Sequence, residues 1–110
     1  MRTLKFIVDG QSLKTDPDCD FSGLVPGTSG YLRAEFSFSS EWDNCAKVVG
    51  FVQKLGGFEC TPQLLRDGKS CAIPDDALTT KRFEIFVLGR DKSNKKMTTN
   101  KVTVTQDGGR

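Results

Sequence analysis

The feature that most constrains the fold is a two-residue alternation of apolar and polar side chains along several short segments. In residues 31–38 (YLRAEFSF), Leu32, Ala34 and Phe36 alternate with Arg33 and Glu35. Successive side chains of a β-strand point to opposite faces, so this pattern predicts a strand with one buried face. The same reasoning predicts strands over residues 4–8, 46–53, 82–88 and 97–105. Segment 82–88 is largely apolar on both faces, which predicts a central strand.

Pairs of residues that favour tight turns separate these segments. Asp9-Gly10, Gly56-Gly57 and Asp67-Gly68 each contain a glycine that can adopt positive φ, as hairpin turns require. The second pair leads into a predicted strand over 58–65, and the third leads into another over 70–73. The polar residues 91–96 predict a hairpin tip. Residues 16–30 predict a long loop, and residues 74–78 predict one helical turn.

These elements together predict an all-β fold. We expect an immunoglobulin-like two-sheet sandwich of about 7–8 antiparallel strands, because many short strands with regular turn signals are typical of that architecture. Residues 1–106 are predicted to form a single domain. Residues 107–110 are predicted to form a flexible C-terminal tail or the start of a linker.

Charge and hydropathy argue against a nucleic-acid partner and against insertion into a membrane. The 110 residues include 16 basic and 14 acidic side chains, a net charge of +2, which does not favour a nucleic-acid partner. The first residues lack the apolar run of a signal peptide, and no segment approaches the roughly 20 apolar residues of a membrane-spanning helix. We therefore expect synthesis in the cytoplasm and no membrane insertion.

The four cysteines are Cys19, Cys45, Cys60 and Cys71. We favour free thiols that pack as small hydrophobic groups, and two disulfides are the alternative. Zinc is disfavoured because the chain has no C-x-x-C pair and no histidine.

The residue types also argue against catalysis. Without histidine the chain has neither a Ser–His nor a Cys–His nucleophile pair, so we expect no enzyme, no catalytic residue and no cofactor. Asp16, Asp18 and Asp20 begin a calcium-loop pattern. Phe21 and Gly27 then stand where that loop needs a glycine and a glutamate, so we favour a solvated acidic loop and predict no metal site.

The candidate binding residues lie on two predicted connections, because loops on a rigid scaffold commonly carry function. An exposed Trp42 would be a natural anchor, since aromatic residues dominate binding hot spots; the alternative is that it packs in the core. The lysines would contact an acidic partner or a glycan, or they belong to an ordinary solvated loop. The full set is Trp42, Asp43, Asn44, Lys92, Lys95 and Lys96.

The order of several segments adds a resemblance. They are LKFIVDGQ (4–11), YLRAEFSFSSEWDN (31–44), AKVVGFVQ (46–53), LLRDGKSCAIP (64–74) and FEIFVLGRDKSNKKMTTNKVTVTQDGG (83–109). This order resembles the immunoglobulin-like domain of tailed-bacteriophage virion proteins of the head-fibre, capsid-decoration and tail-appendage types. The shared features are a Trp-Asp pair after the third strand, a Cys-x-Ile-Pro after a turn, a phenylalanine-rich strand that ends in Gly, and a Thr-Thr-Asn before the last strand.

The resemblance implies a non-enzymatic virion structural protein, an immunoglobulin-like module that decorates the capsid or attaches to it. Its partner would be the major capsid protein or another virion protein, and it could form a homo-oligomer. The alternative is a receptor- or glycan-binding domain of a phage tail fibre or baseplate. Tyr31, Trp42, Asp43 and Asn44 would then contact a host-surface glycan. Both readings place the protein in the virion.

Overall fold

The computed structural model, which describes residues 2–54 and 56–106, is a sandwich of two β-sheets. The prediction of an all-β, two-sheet sandwich is confirmed, and the arrangement is compatible with an immunoglobulin-like sandwich. The predicted tail at 107–110 lies outside the described residues.

The strands form one four-stranded and one five-stranded sheet. The first has the order β2-β1-β3-β6, and the second has the order β5-β4-β7-β8, with β9 also paired to β7. The described strands are β1 (Arg2–Asp9), β2 (Ser12–Thr15), β3 (Leu32–Phe38), β4 (Ala46–Gln53), β5 (Gln63–Leu64), β6 (Ser70–Ala72), β7 (Arg82–Arg90), β8 (Lys96–Thr98) and β9 (Val102–Thr105). A 3₁₀ turn, Ser40–Trp42, joins β3 to β4.

One pairing departs from the antiparallel arrangement that we expected, because β1 and β3 run parallel. Parallel neighbours need a crossover connection, and the long loop after β2 provides it. The Arg2 guanidinium anchors this loop by donating hydrogen bonds to the carbonyls of Asp20 and Ser22, at 2.8 and 2.7 Å. Leu24 of the loop is buried, so the crossover also closes part of the core.

Aromatic side chains fill the space between the sheets. Phe6 of β1 and Phe36 of β3 stack with their ring centroids 5.3 Å apart. In the other sheet, the ring centroids of Phe51 on β4 and Phe83 on the neighbouring strand β7 lie 6.2 Å apart. Strand β7 pairs with β4 on one side and with β8 and β9 on the other, so its predicted central position is confirmed.

The single strand predicted over residues 97–105 is wrong, because the chain leaves the sheet at Thr99 and Asn100. The Thr99 hydroxyl accepts a hydrogen bond from the Val87 amide at 3.0 Å, where a strand would offer a backbone carbonyl. The Asn100 side chain then accepts from the Leu13 amide at 2.7 Å and donates to the Leu13 carbonyl at 3.1 Å. Asn100 thus covers the edge of β2 in the other sheet and separates β8 from β9.

The strand predicted over residues 58–65 is also too long. Only Gln63–Leu64 and an isolated bridge between Val52 and Glu59 pair with β4. The Thr61 amide instead donates to the Asp76 carboxylate at 3.0 Å, and Pro62 has no amide hydrogen to offer. The following Asp67-Gly68 turn connects β5 in one sheet to β6 in the other, so it does not form a hairpin. The turn at Asp9-Gly10 does form the predicted hairpin, between β1 and β2.

Trp42 fixes one end of the sandwich, which we call the upper end. Its side chain has no exposed surface, and its indole Nε1 donates a hydrogen bond to the Gly10 carbonyl at 2.7 Å. The ring lies directly against Gly89 of β7, where an added Cβ would approach Trp42 Cζ3 to 2.5 Å. Trp42 therefore joins the β1–β2 turn of one sheet to the end of β7 in the other.

We predict that Gly89→Ala lowers the free energy of unfolding by about 1–3 kcal/mol, because an overpacked core must shift the buried indole. Urea unfolding monitored by tryptophan fluorescence measures the change. Gly50→Ala is the matched control. Its added methyl would meet the half-buried ring of Phe86 on the outer surface, which can rotate away. A loss for Gly89→Ala no larger than that for Gly50→Ala would contradict the role assigned to Trp42.

Candidate functional site

The two outer faces of the sandwich differ in character. On the four-stranded sheet, the outward positions of β1, β2 and β3 carry mostly charged side chains: Lys5, Lys14, Arg33 and Glu35. On the five-stranded sheet, several outward positions are apolar. A sheet face that packs against nothing usually carries polar residues, so the second face is the unusual one.

A row of directly paired apolar side chains crosses the five-stranded sheet. Val48 of β4 pairs with Leu64 of β5 on one side and with Leu88 of β7 on the other. Leu64 is 50% exposed and Leu88 is 39% exposed. With Ala46 and Phe86, which share their side of the sheet, these residues form what we call the apolar face.

Phe86 extends the apolar face over a glycine. It pairs with Gly50 across β4 and β7, and its ring occupies the space that a side chain at position 50 would need. The Lys101 ammonium lies 5.6 Å from the centroid of the ring, within reach of a cation–π contact. The absence of a side chain at Gly50 thus lets an aromatic ring lie across the sheet.

Two cations border the upper end of the apolar face. Arg90 of β7 and Lys96 of β8 are directly paired, and both are exposed. Like charges at directly opposite positions destabilise a sheet. Within residues 2–54 and 56–106, neither Arg90 nor Lys96 forms an ion pair; the salt bridge in this part of the chain joins Lys54 to Glu84 at 3.4 Å. Arg90 and Lys96, together with Ala46, Val48 and Leu88, line an open concavity of about 350 Å³.

The hairpin between β7 and β8 holds further lysines in a defined turn. The Asp91 carboxylate accepts hydrogen bonds from the Lys95 amide at 2.9 Å and from the Ser93 amide and hydroxyl at 3.0 and 2.8 Å. These bonds lower the pKa of Asp91, and the bond from the Lys95 amide makes the largest contribution. We call the four cations of this hairpin the basic tip: Arg90, Lys92, Lys95 and Lys96.

The structure brings most of the predicted binding residues to the upper end. All three lysines are exposed on the basic tip. Asp43 and Asn44 are exposed just before β4, whose Ala46 pairs with Arg90, so the two connections lie at the same end. The prediction that places Trp42 at the binding surface is wrong, because its side chain is fully buried between the sheets. The alternative, that it packs in the core, is confirmed.

The apolar face was not among the predicted site residues. Its signal was present, because segment 82–88 is apolar on both sides of the strand. Taken alone, that pattern predicts a central strand and does not distinguish an exposed apolar face from a covered one. Strand β7 is indeed central in the sheet, but Phe86 and Leu88 point away from the core.

The two buried cysteines are poorly placed for nucleophilic chemistry. Cys60 and Cys71 are buried, as predicted for packed thiols, whereas Cys19 and Cys45 are only half-buried, and all four thiols are free. Burial raises the pKa of the Cys71 thiol to about 12, and burial is also the main cause that raises the pKa of Cys60. A thiol with a raised pKa holds little of the thiolate that nucleophilic chemistry needs.

Two carboxylates of the acidic loop after β2 accept hydrogen bonds from residues of the same loop. Asp16 accepts a hydrogen bond from the Asp18 amide, and Asp20 accepts two from Ser22. Within residues 2–54 and 56–106, no group of three or more cysteine or carboxylate side chains is placed to hold a metal ion. The same part of the chain contains no helix with the length and apolar character needed to cross a bilayer.

Comparisons of the chain with protein-family models, with curated proteins and with solved structures found no match.

Acid should destabilise the fold through two surface turns. Hydrogen bonds from the Ser70 hydroxyl and from backbone amides hold the pKa of Asp67 far below its usual range, and the Asp91 pKa is also lowered. A lowered folded-state pKa contributes stability that is present above the unfolded pKa of about 4 and is lost as the pH falls toward the folded value. We predict that the free energy of unfolding falls below pH ~4, and falls less steeply in Asp67→Asn/Asp91→Asn.

Urea unfolding at a series of pH values measures this slope. The control is Asp18→Asn, at an exposed carboxylate of the acidic loop that accepts none of these hydrogen bonds. An unchanged slope in the double variant would show that these turns do not govern acid stability.

The Arg90–Lys96 pair should cost the fold stability. We predict that Lys96→Glu raises the free energy of unfolding by about 0.2–1 kcal/mol, because an opposite-charge pair replaces a like-charge pair across two strands. Chemical denaturation at low salt measures the change. Lys92→Glu, on the same tip but outside the paired positions, is the control and should change stability less. A loss of stability in Lys96→Glu would contradict this interpretation.

Proposed function

We propose that the chain is a non-enzymatic structural protein of a tailed-phage virion, an immunoglobulin-like module that attaches to the capsid as a decoration or head-fibre protein. The observation that carries the proposal is the difference in side-chain chemistry between the outer faces of the two sheets. One face is charged, and the other combines exposed Leu64 and Leu88 with Arg90 and Lys96, which have no ion-pair partner among the described residues. Exposed apolar surface bordered by polar groups is typical of protein interaction sites.

The composition and the segment order support the same assignment. The chain has no histidine, and its Trp-Asp, Cys-x-Ile-Pro and Thr-Thr-Asn segments resemble those of phage virion domains. Trp42 and Asn100 of these segments hold the two sheets together. They support the fold type, whereas the apolar face supports the docking role.

A capsid gives such a module a simple way to act. A shell presents many identical sites, and a protein that binds only the assembled shell favours the assembled state by mass action. Each contact can then be weak, and copies joined in a fibre would add avidity.

The glycan-binding alternative has less support. Tyr31 precedes β3, whereas Asp43 and Asn44 follow it beyond the 3₁₀ turn. A strand of this length separates its two ends by roughly 20 Å. Because Trp42 is buried as well, the predicted set of aromatic and polar side chains does not come together into one sugar site.

Co-sedimentation with purified phage heads tests the proposal. Heads and tails of the phage that encodes the chain are separated, and each is mixed with the labelled protein. We expect saturable binding to heads, reduced on heads that already carry the unlabelled chain. Binding to tails alone would favour a tail-appendage role, and binding to neither particle would contradict a virion docking role.

A further inference from the structure

The apolar face and the basic tip together define the chemistry of a partner. We infer that the five-stranded sheet docks a protein surface in which an apolar side chain is bordered by aspartate or glutamate carboxylates. This inference deepens the proposed function by naming the surface of the chain and the kind of surface it meets. The partner's apolar group would enter the concavity lined by Val48 and Leu88.

The like-charge pair is the first argument for an acidic partner. Arg90 and Lys96 face each other across neighbouring strands, and the described residues place no carboxylate in an ion pair with either. Lys101 adds a third cation at the Phe86 ring. Carboxylates from a partner would relieve the repulsion between these cations, so binding would recover stability that the free chain lacks.

Neither Asp91 of the hairpin nor the exposed Asp43 at the same end forms an ion pair with these cations in the part of the chain that the structure describes. One oxygen of Asp91 accepts three hydrogen bonds within its own turn. At the opposite end of the five-stranded sheet, which we call the lower end, Glu84 is bound by Lys54. The cations at the upper end of the face thus remain available to a partner.

A second copy of the chain fits this face less well. In a two-fold symmetric contact the same patch meets itself. If the two upper ends meet, Arg90 and Lys96 approach the same cations of the other copy. If the upper end meets the lower end, they approach Lys54 and Arg82. The carboxylates at that end are Glu84, which Lys54 binds, and Glu59, which pairs with Val52 on the same face, so the lower end offers no net negative charge.

Addition of a strand at a sheet edge is also disfavoured. Asn100 occupies both the amide and the carbonyl of Leu13 on β2, and Gln11 donates to the Thr98 carbonyl on β8. Strands β5 and β6 contain two and three residues. Such short or covered edges give a partner strand little to pair with. At these four edges, side-chain docking on the face is favoured over strand addition.

A membrane surface fits less well than a protein. The apolar side chains belong to strands within a sheet, whereas membrane-surface binding buries an apolar segment between lipid headgroups and acyl chains. Binding to anionic lipid vesicles is therefore the outcome that competes with binding to a protein.

A peptide array tests the chemistry without assuming which particle is involved. Three sets of peptides carry the same central Leu-Phe pair, flanked by Asp and Glu, by Ser, or by Lys. We expect the chain to bind the acid-flanked set at least about tenfold more strongly than the Ser-flanked set at low salt, and to lose this preference at high salt.

Two variants separate charge from apolar contact. Arg90→Glu/Lys96→Glu should shift the preference to the Lys-flanked set, a change of specificity that misfolding would not produce. Leu64→Ser/Leu88→Ser should weaken binding of the acid-flanked set at least about tenfold. The matched control is Lys5→Glu/Lys14→Glu on the opposite sheet, which makes the same change in net charge and should leave binding unchanged.

The inference is overturned by equal binding of the three sets, or by the same shift of preference in the control. It is also overturned by a dimer that Val48→Glu dissociates in sedimentation velocity, or by face-dependent binding to phosphatidylglycerol vesicles.

Co-sedimentation with phage heads separates this inference from the proposed function. If heads bind the wild type and Arg90→Glu/Lys96→Glu equally, the face is wrong and the function stands. If acid-flanked peptides bind but heads do not, the function is wrong and the face stands.

Discussion

The packing of Trp42 against Gly89 is the contact on which the upper end of the molecule depends. The indole fills the space between the sheets, its Nε1 bonds the Gly10 carbonyl, and only a residue without a side chain leaves room for it on β7. This contact fixes where β7 ends and where the chain enters β4. It therefore also fixes the positions of Arg90 and the hairpin that carries the exposed lysines.

The alternating pattern predicted the strands where backbone pairing alone defines them. Residues 46–53 match β4 at both ends, and 82–88 lie within β7. The pattern failed where side chains replace backbone partners. Thr99 and Asn100 interrupt the strand predicted over 97–105, and Asp76 draws the Thr61 amide away from β4. Hydrogen bonds between residues distant in sequence leave no trace in the periodicity of a segment.

The candidate site was predicted in part for a similar reason. Exposed lysines and acids in turns are visible in a sequence, so Lys92, Lys95 and Asp43 were found at the upper end. An apolar residue gives the same signal whether it faces the core or the solvent. The assignment of Trp42 to the surface and the omission of Leu88 are two forms of this ambiguity, and only the sheet register resolves it.

We propose that the chain meets its partner through the outer face of the five-stranded sheet. Carbene footprinting of the chain, free and bound to phage heads, tests this most directly, because exposed apolar side chains occur both on this face and away from it. We predict that Leu64 and Leu88 lose most of their labelling on binding while Tyr31 and Phe58 keep theirs. Protection of Tyr31 and Phe58 with unchanged labelling of the two leucines would contradict it.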